Sequence, residues 1–122
     1  MRRRLMQFFL LMLVAGALLF AAREVIDHRN RHAALPVVTE LGGKIGSTPV
    51  WPFGNEYRIS FHDVHLTNDD LRRLVVLNLL TQRHTIGIAF VDTNLTEDEI
   101  QSLRQQLPKC VIFRVVDGET IK

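Results

Sequence analysis

Residues 59–74 read I-S-F-H-D-V-H-L-T-N-D-D-L-R-R-L, and residues 88–103 read I-A-F-V-D-T-N-L-T-E-D-E-I-Q-S-L. At an offset of 29 the two stretches agree at 7 of 16 positions: Ile59/Ile88, Phe61/Phe90, Asp63/Asp92, Leu66/Leu95, Thr67/Thr96, Asp69/Asp98 and Leu74/Leu103. Asp70/Glu99 and Leu71/Ile100 are conservative pairs. Agreement at this level marks an internal repeat, and a repeat is a supersecondary unit that buries its apolar face against its neighbour.

Each copy changes periodicity midway. Tyr57, Ile59 and Phe61 alternate with polar or small residues, as do Ile86, Ile88 and Phe90, the pattern of a strand with one buried face. Thr67-Asn68-Asp69-Asp70 and Thr96-Glu97-Asp98-Glu99 then start helices: the hydroxyl caps a free amide and the acids complement the positive end of the helix dipole. The apolar stripe expected of the first helix is Leu71, Leu74, Val75 and Asn78, with Leu77 beside it; that of the second is Ile100, Leu103 and Leu107, stopped by Pro108. A third strand is expected over residues 110–116, nearly all apolar, so alternation leaves its facing open. Residues 117–122 read as a polar tail.

Upstream of the repeat, Lys44-Ile45 reads as a short strand and residues 46–55, rich in Gly and Pro, as loop. Trp51 and Phe53 in this loop are candidate contacts, read either as covers for the open end of the first unit or as recognition aromatics. Residues 36–41 form a short helix in this reading, separated from the preceding helix by Pro36 and stopped at Gly42-Gly43 by a left-handed cap.

The N-terminus is of another kind. Arg2, Arg3 and Arg4 flank residues 5–22, an 18-residue run whose only polar side chain is Gln7. About 20 apolar residues span the hydrocarbon layer, so this run serves as a membrane anchor. A cleaved signal peptide ending at Ala17 is the competing reading. Both send the remainder across the membrane, and the arginines keep the N-terminus cytoplasmic. Without Arg2, Arg3 and Arg4 the chain carries 12 Lys plus Arg against 13 Asp plus Glu. The folded part therefore lacks the basic excess that nucleic-acid binding requires. Residues 23–34 continue the helix, with Glu24/His28 and Asp27/Arg31 at i, i+4 spacing.

A strand and helix, twice, with a closing strand imply parallel strands side by side. Here I88-A-F90-V-D-T93-N-L95 and the tail L-T-x-(D/E)-(D/E)-(L/I)-x-x-L resemble leucine-rich repeats of a bacterial form, and I59-S-F61-H-D-V64-H-L66 follows the same frame with Val64 in the place of its Asn or Thr. The resemblance implies an α/β fold: a short leucine-rich-repeat-like solenoid of parallel strands and helices after an N-terminal transmembrane helix. The divisions are a basic flank at 1–4, an anchor at 5–22, a juxtamembrane helix at 23–34, a domain at 35–116 with repeats at 57–84 and 86–109, and a tail at 117–122. In such folds the outward strand residues form a binding face, here Arg58, Ser60, His62, Gly87, Ala89 and Val91.

No catalytic constellation assembles from the residues. His62 and His65 fall on opposite sides of a strand, and a structural metal site needs about four ligands. Asp63 and Asp92 match across the repeat and so share a structural role. His28 and His32 have ligand-like spacing but sit in a solvated, arginine-rich stretch. Cys110, the single cysteine, has apolar neighbours and no base. The expectation is a non-enzymatic, single-pass membrane protein without metal or cofactor. Its domain lies outside the cytoplasm and binds a protein partner, with self-association through exposed strand edges, at Tyr57–Phe61 or at residues 110–116, as the alternative.

Overall fold

The computed structural model describes residues 2–50 and 54–121. Trp51 and Phe53 lie outside the described residues. The chain forms a long helix and a five-stranded mixed sheet, in the order α1 (Arg2–Glu40), β1 (Lys44–Val50), β2 (Gly54–His62), α2 (Asn68–Arg73), a 3₁₀ helix (Leu74–Leu80), β3 (Thr85–Val91), α3 (Glu97–Gln106), β4 (Val111–Val116) and β5 (Glu119–Ile121).

The repeat sets the centre of the sheet. β2 and β3 pair in parallel with Tyr57 opposite Ile86, Ile59 opposite Ile88 and Phe61 opposite Phe90. The offset of the sequence copies is thus the register of the strands. Phe61 and Phe90 stack with ring centroids 5.3 Å apart and planes 8° from parallel. β4 adds a third parallel strand, with Ile112 opposite Ile88. One face of these strands is buried beneath Ala34, Val38 and Leu41 of the α1 end, Leu71, Leu74, Leu77 and Leu80 of the first helical segment, and Ile100, Leu103 and Leu107 of the second.

Both capping boxes form. The Thr67 hydroxyl accepts the Asp70 N–H while Asp70 accepts the Thr67 N–H, and Thr96 and Glu99 make the same exchange. The first helix, however, tightens into 3₁₀ geometry after Arg73. Leu71, Leu74, Leu77 and Leu80 are three apart, which is the period of a 3₁₀ helix, and all four are buried. Val75 and Asn78, expected on the α-helical stripe, are only half-buried, and the Asn78 amide donates to the Gln106 carbonyl at 2.8 Å.

Four local expectations change. Pro36 does not divide the helix: α1 runs through it to Glu40. An internal proline costs a helical hydrogen bond, about 3 kcal/mol, and here Ala34 and Val38 are fully buried on either side of it, so packing holds the helix together. The end is as expected, a left-handed Gly42 with Gly42 N–H on Thr39 O and Gly43 N–H on Val38 O, the paired bonds of a Schellman cap. Residues 46–50 are strand rather than loop, since β1 forms a hairpin with β2 from Lys44/Ser60 to Val50/Gly54. Pro49 fits because β1 is an edge strand and needs no outward N–H partner. Residues 119–121 are strand rather than tail: Val116 pairs with Glu119 across Asp117-Gly118, both at positive φ, a two-residue hairpin turn. Finally, β2 and β4 are interior strands, so the edges expected at Tyr57–Phe61 and at residues 110–116 are already paired, and β1 and β5 form the outer edges.

Candidate functional site

The six outward residues named from the sequence fall on one sheet face. Arg58 lies beside Gly87, Ser60 beside Ala89 and His62 beside Val91. The register extends the rows to residues that alternation could not orient: Gly87 to Val111, Ala89 to Phe113 and Val91 to Val115. Burial of Ile112 on the core side turns Val111 and Phe113 outward, 51% and 45% exposed. The face is therefore graded. Arg58 and His62 are exposed on β2, small side chains occupy β3, and apolar ones β4. Arg58 is partnered along its own strand by Glu56 at 3.4 Å. Nothing in the sequence marked Val111 and Phe113 as outward: Arg114 shares the side of buried Ile112, so alternation read from the one charged residue would have turned them inward.

The matched aspartates are structural. Asp63 and Asp92 leave β2 and β3 in the left-handed conformation, with φ of 52° and 51°. Their amides continue the parallel ladder, Asp63 N–H to Val91 O at 3.0 Å and Asp92 N–H to Val115 O at 2.9 Å. The Asp92 carboxylate also accepts the Asp117 N–H at 2.9 Å. A side-chain bridge between the two units comes from Asn94 rather than Thr93: its Oδ1 accepts the Leu66 N–H at 2.7 Å and its Nδ2 donates to the Leu66 carbonyl at 2.9 Å.

A polar cluster not anticipated from the sequence fastens α1 to the domain. Asp27 and His84 are both buried, with Asp27 Oδ1 2.6 Å from His84 Nε2. His84 Nδ1 accepts the Asn55 N–H at 2.9 Å, so the ring hydrogen sits on Nε2 and points at the carboxylate. The other Asp27 oxygen faces Arg31 at 3.1 Å, the expected i, i+4 pair. Arg83 reaches Glu24 at 2.7 Å. That bond to Glu24, ahead of the nearby Asp27 charge, pushes the guanidinium pKa up. An aspartate and a histidine at this distance resemble part of a catalytic relay, but both imidazole nitrogens are engaged within the fold and neither is left to take a proton from a substrate. The pair is separated by 57 residues in sequence, which hid it.

Other candidates do not converge. No group of three or more His, Cys, Asp or Glu among the described residues could hold a metal ion. His28 and His32 make an edge contact, ring centroids 4.2 Å apart, beside an open groove of about 650 Å³ also lined by Leu35, Pro36 and Ile45. Cys110 is half-buried, and burial pushes its thiol up to about 11, which disfavours the thiolate a nucleophile needs. α1 is long and apolar enough to cross a membrane, and residues 2–23 are exposed along it. No protein-family model, no curated protein and no solved structure matches this chain.

Proposed function

We propose that this protein is a non-enzymatic, membrane-anchored module that binds a protein partner through the open sheet face, and that its two strand–helix units are a short leucine-rich-repeat-like array capped by a hairpin at each end. Residues 5–22 span the membrane, Arg2, Arg3 and Arg4 hold the N-terminus in the cytoplasm, and the domain faces the other side. The observation that carries the binding reading is the exposure of Val111 and Phe113 beside the small side chains of β3, a row of apolar groups that no helix among the described residues covers. Interfaces draw on such apolar centres with polar rims, and Arg58 and His62 supply the rim.

The test is site-specific crosslinking in the full-length protein in cells, with a photoreactive residue at Ser60, Ala89 or Phe113 and a control on the opposite layer at Ser102. One discrete adduct from the three sheet positions and none from Ser102 is expected. Absence of any adduct from the sheet positions overturns the reading. A second reading, self-association, has its own observation in the unpaired outer edges of β1 and β5. In that case the adduct has twice the mass of the chain and forms from Thr48 or Thr120.

A further inference from the structure

The long helix and the hairpin together fix how far the domain stands from the bilayer. This inference rests on the reading of residues 5–22 as the span. Those 18 residues rise about 27 Å, slightly less than the hydrocarbon thickness of about 30 Å, and the interfacial layer adds roughly 5 to 8 Å on each side. Val25 and Ile26, both 57% exposed, continue the apolar surface just past the run. Asp27 lies only about 8 Å along the helix from Ala22, within or at the edge of that layer.

Domain residues are fastened from just below this height to about one turn above it. Asp27 holds His84, and Glu24, one turn lower, holds Arg83. The Asn30 side chain donates to the Leu79 carbonyl, and Leu79 and Gln82 line a crevice with Arg23, Ile26 and Asn30. The hairpin points the same way. Its open end is level with the top of α1, where Phe61 crowds Gly43 and Val38, whereas Asn55 bonds the ring of His84. Val50 pairs with Gly54, next to Asn55, and so stands at or below the level of Asp27. Leu79 and Val50 are 44% and 43% exposed, large apolar side chains at the end of the domain nearest the span.

We propose that this end of the domain, carrying Leu79 and Val50, is seated in the interfacial layer of the lipid bilayer, as a continuation of the surface that Ile26 presents. The occupant of these exposed positions is lipid: with residues 5–22 as the span, the bilayer surface lies at the level of Ile26, which lines one crevice with Leu79, and Val50 is held at the same end through Gly54 and Asn55, whose N–H bonds His84. Arg23, exposed and lining the same crevice as Leu79, is suited to phosphate headgroups.

The experiment uses the full chain with Cys110→Ala, reconstituted in vesicles of phosphatidylcholine and phosphatidylglycerol. A nitroxide is attached at Leu79→Cys or Val50→Cys, both exposed positions, with reference labels at Leu13→Cys in the span and Thr39→Cys at the far end of α1. Collision with oxygen is compared with collision with a water-soluble nickel complex, and circular dichroism confirms the fold of each variant. The expected result is an oxygen-to-nickel ratio at both Leu79 and Val50 severalfold above that at Thr39 and below that at Leu13. If Leu13 reads as hydrocarbon while either Leu79 or Val50 matches Thr39, the seated domain is overturned and the span stands. If Leu13 itself matches Thr39, the span is overturned and the seated domain with it.

Discussion

At the scale of single residues, the buried Asp27–His84 contact is the polar interaction whose loss has the largest expected effect. Replacing His84 with Ala leaves a buried carboxylate facing a void and the Asn55 amide unpaired, for an expected loss of about 3 kcal/mol. Asp27→Asn keeps an acceptor for the His84 N–H and loses charge pairing with Arg31, for about 1 kcal/mol. Urea unfolding of the detergent-solubilised protein separates the two, and equal effects would contradict the geometry. Asp63 offers a cleaner test of backbone conformation. Its left-handed φ makes Asp63→Gly more stable than Asp63→Ala by about 1 kcal/mol in the same assay. Cys110 reports through chemistry: with the thiol held up near 11, its alkylation rate should keep rising from pH 8 to pH 10. A free thiol, with its ordinary value of 9.0, would already be levelling off by pH 10, and urea-unfolded protein should show that profile. The capping threonines and the structural character of the matched aspartates were readable because they depend on neighbours a few residues away. The Asp27–His84 pair was not, because nothing local marks either residue as buried.

At the scale of elements, the sequence was informative where periodicity and partner agree. β2, β3 and α3 were legible, since alternation and helical spacing each select one buried face. The 3₁₀ helix was not, although leucines at 71, 74, 77 and 80 held its period, because Val75 and Asn78 offered a competing α-helical stripe. The hairpins β1 and β5 depend on pairing with β2 and β4, and pairing overrides composition: Pro49 and Gly46 are tolerated on an edge. Asp117-Gly118, read from the sequence as part of a polar tail, is the turn of the β4–β5 hairpin. Its conformation predicts that Gly118→Ala loses about 1 kcal/mol, localised to β5, whose amides should exchange faster while those of β3 do not change. The capping boxes predict a pH effect with a definite sign. The Thr67 N–H, the largest influence, lowers the Asp70 carboxyl from its ordinary value of 3.8. Its contribution is present above that value and lost as pH falls through the lower folded value. The first turn of α2 should therefore fray below about pH 3.8 in amide-exchange profiles, whereas Asp70→Asn should show the frayed behaviour at neutral pH.

At the scale of the whole molecule, the repeat correctly gave an α/β fold with parallel strands at its centre, and the outward six residues share a face because one register fixes them all. It did not give the mixed sheet, whose antiparallel edges come from segments outside the repeat. Nor did it give the role of α1, which is both the apolar helix and, through Ala34 and Val38, part of the core. A chain starting at residue 23 should therefore fold, and one starting at residue 42 should not; dispersion of amide resonances distinguishes them. The passage of α1 through Pro36 without a break has a mechanical meaning. With no joint between the apolar end of α1 and the sheet, the molecule behaves as a key whose shaft sets the angle of its bit. Each residue inserted after Ala22 would turn the sheet face by about 100° around the shaft and lift it by about 1.5 Å. The compass direction in which the face meets its surroundings is thus dictated by helical phase, down to a single residue.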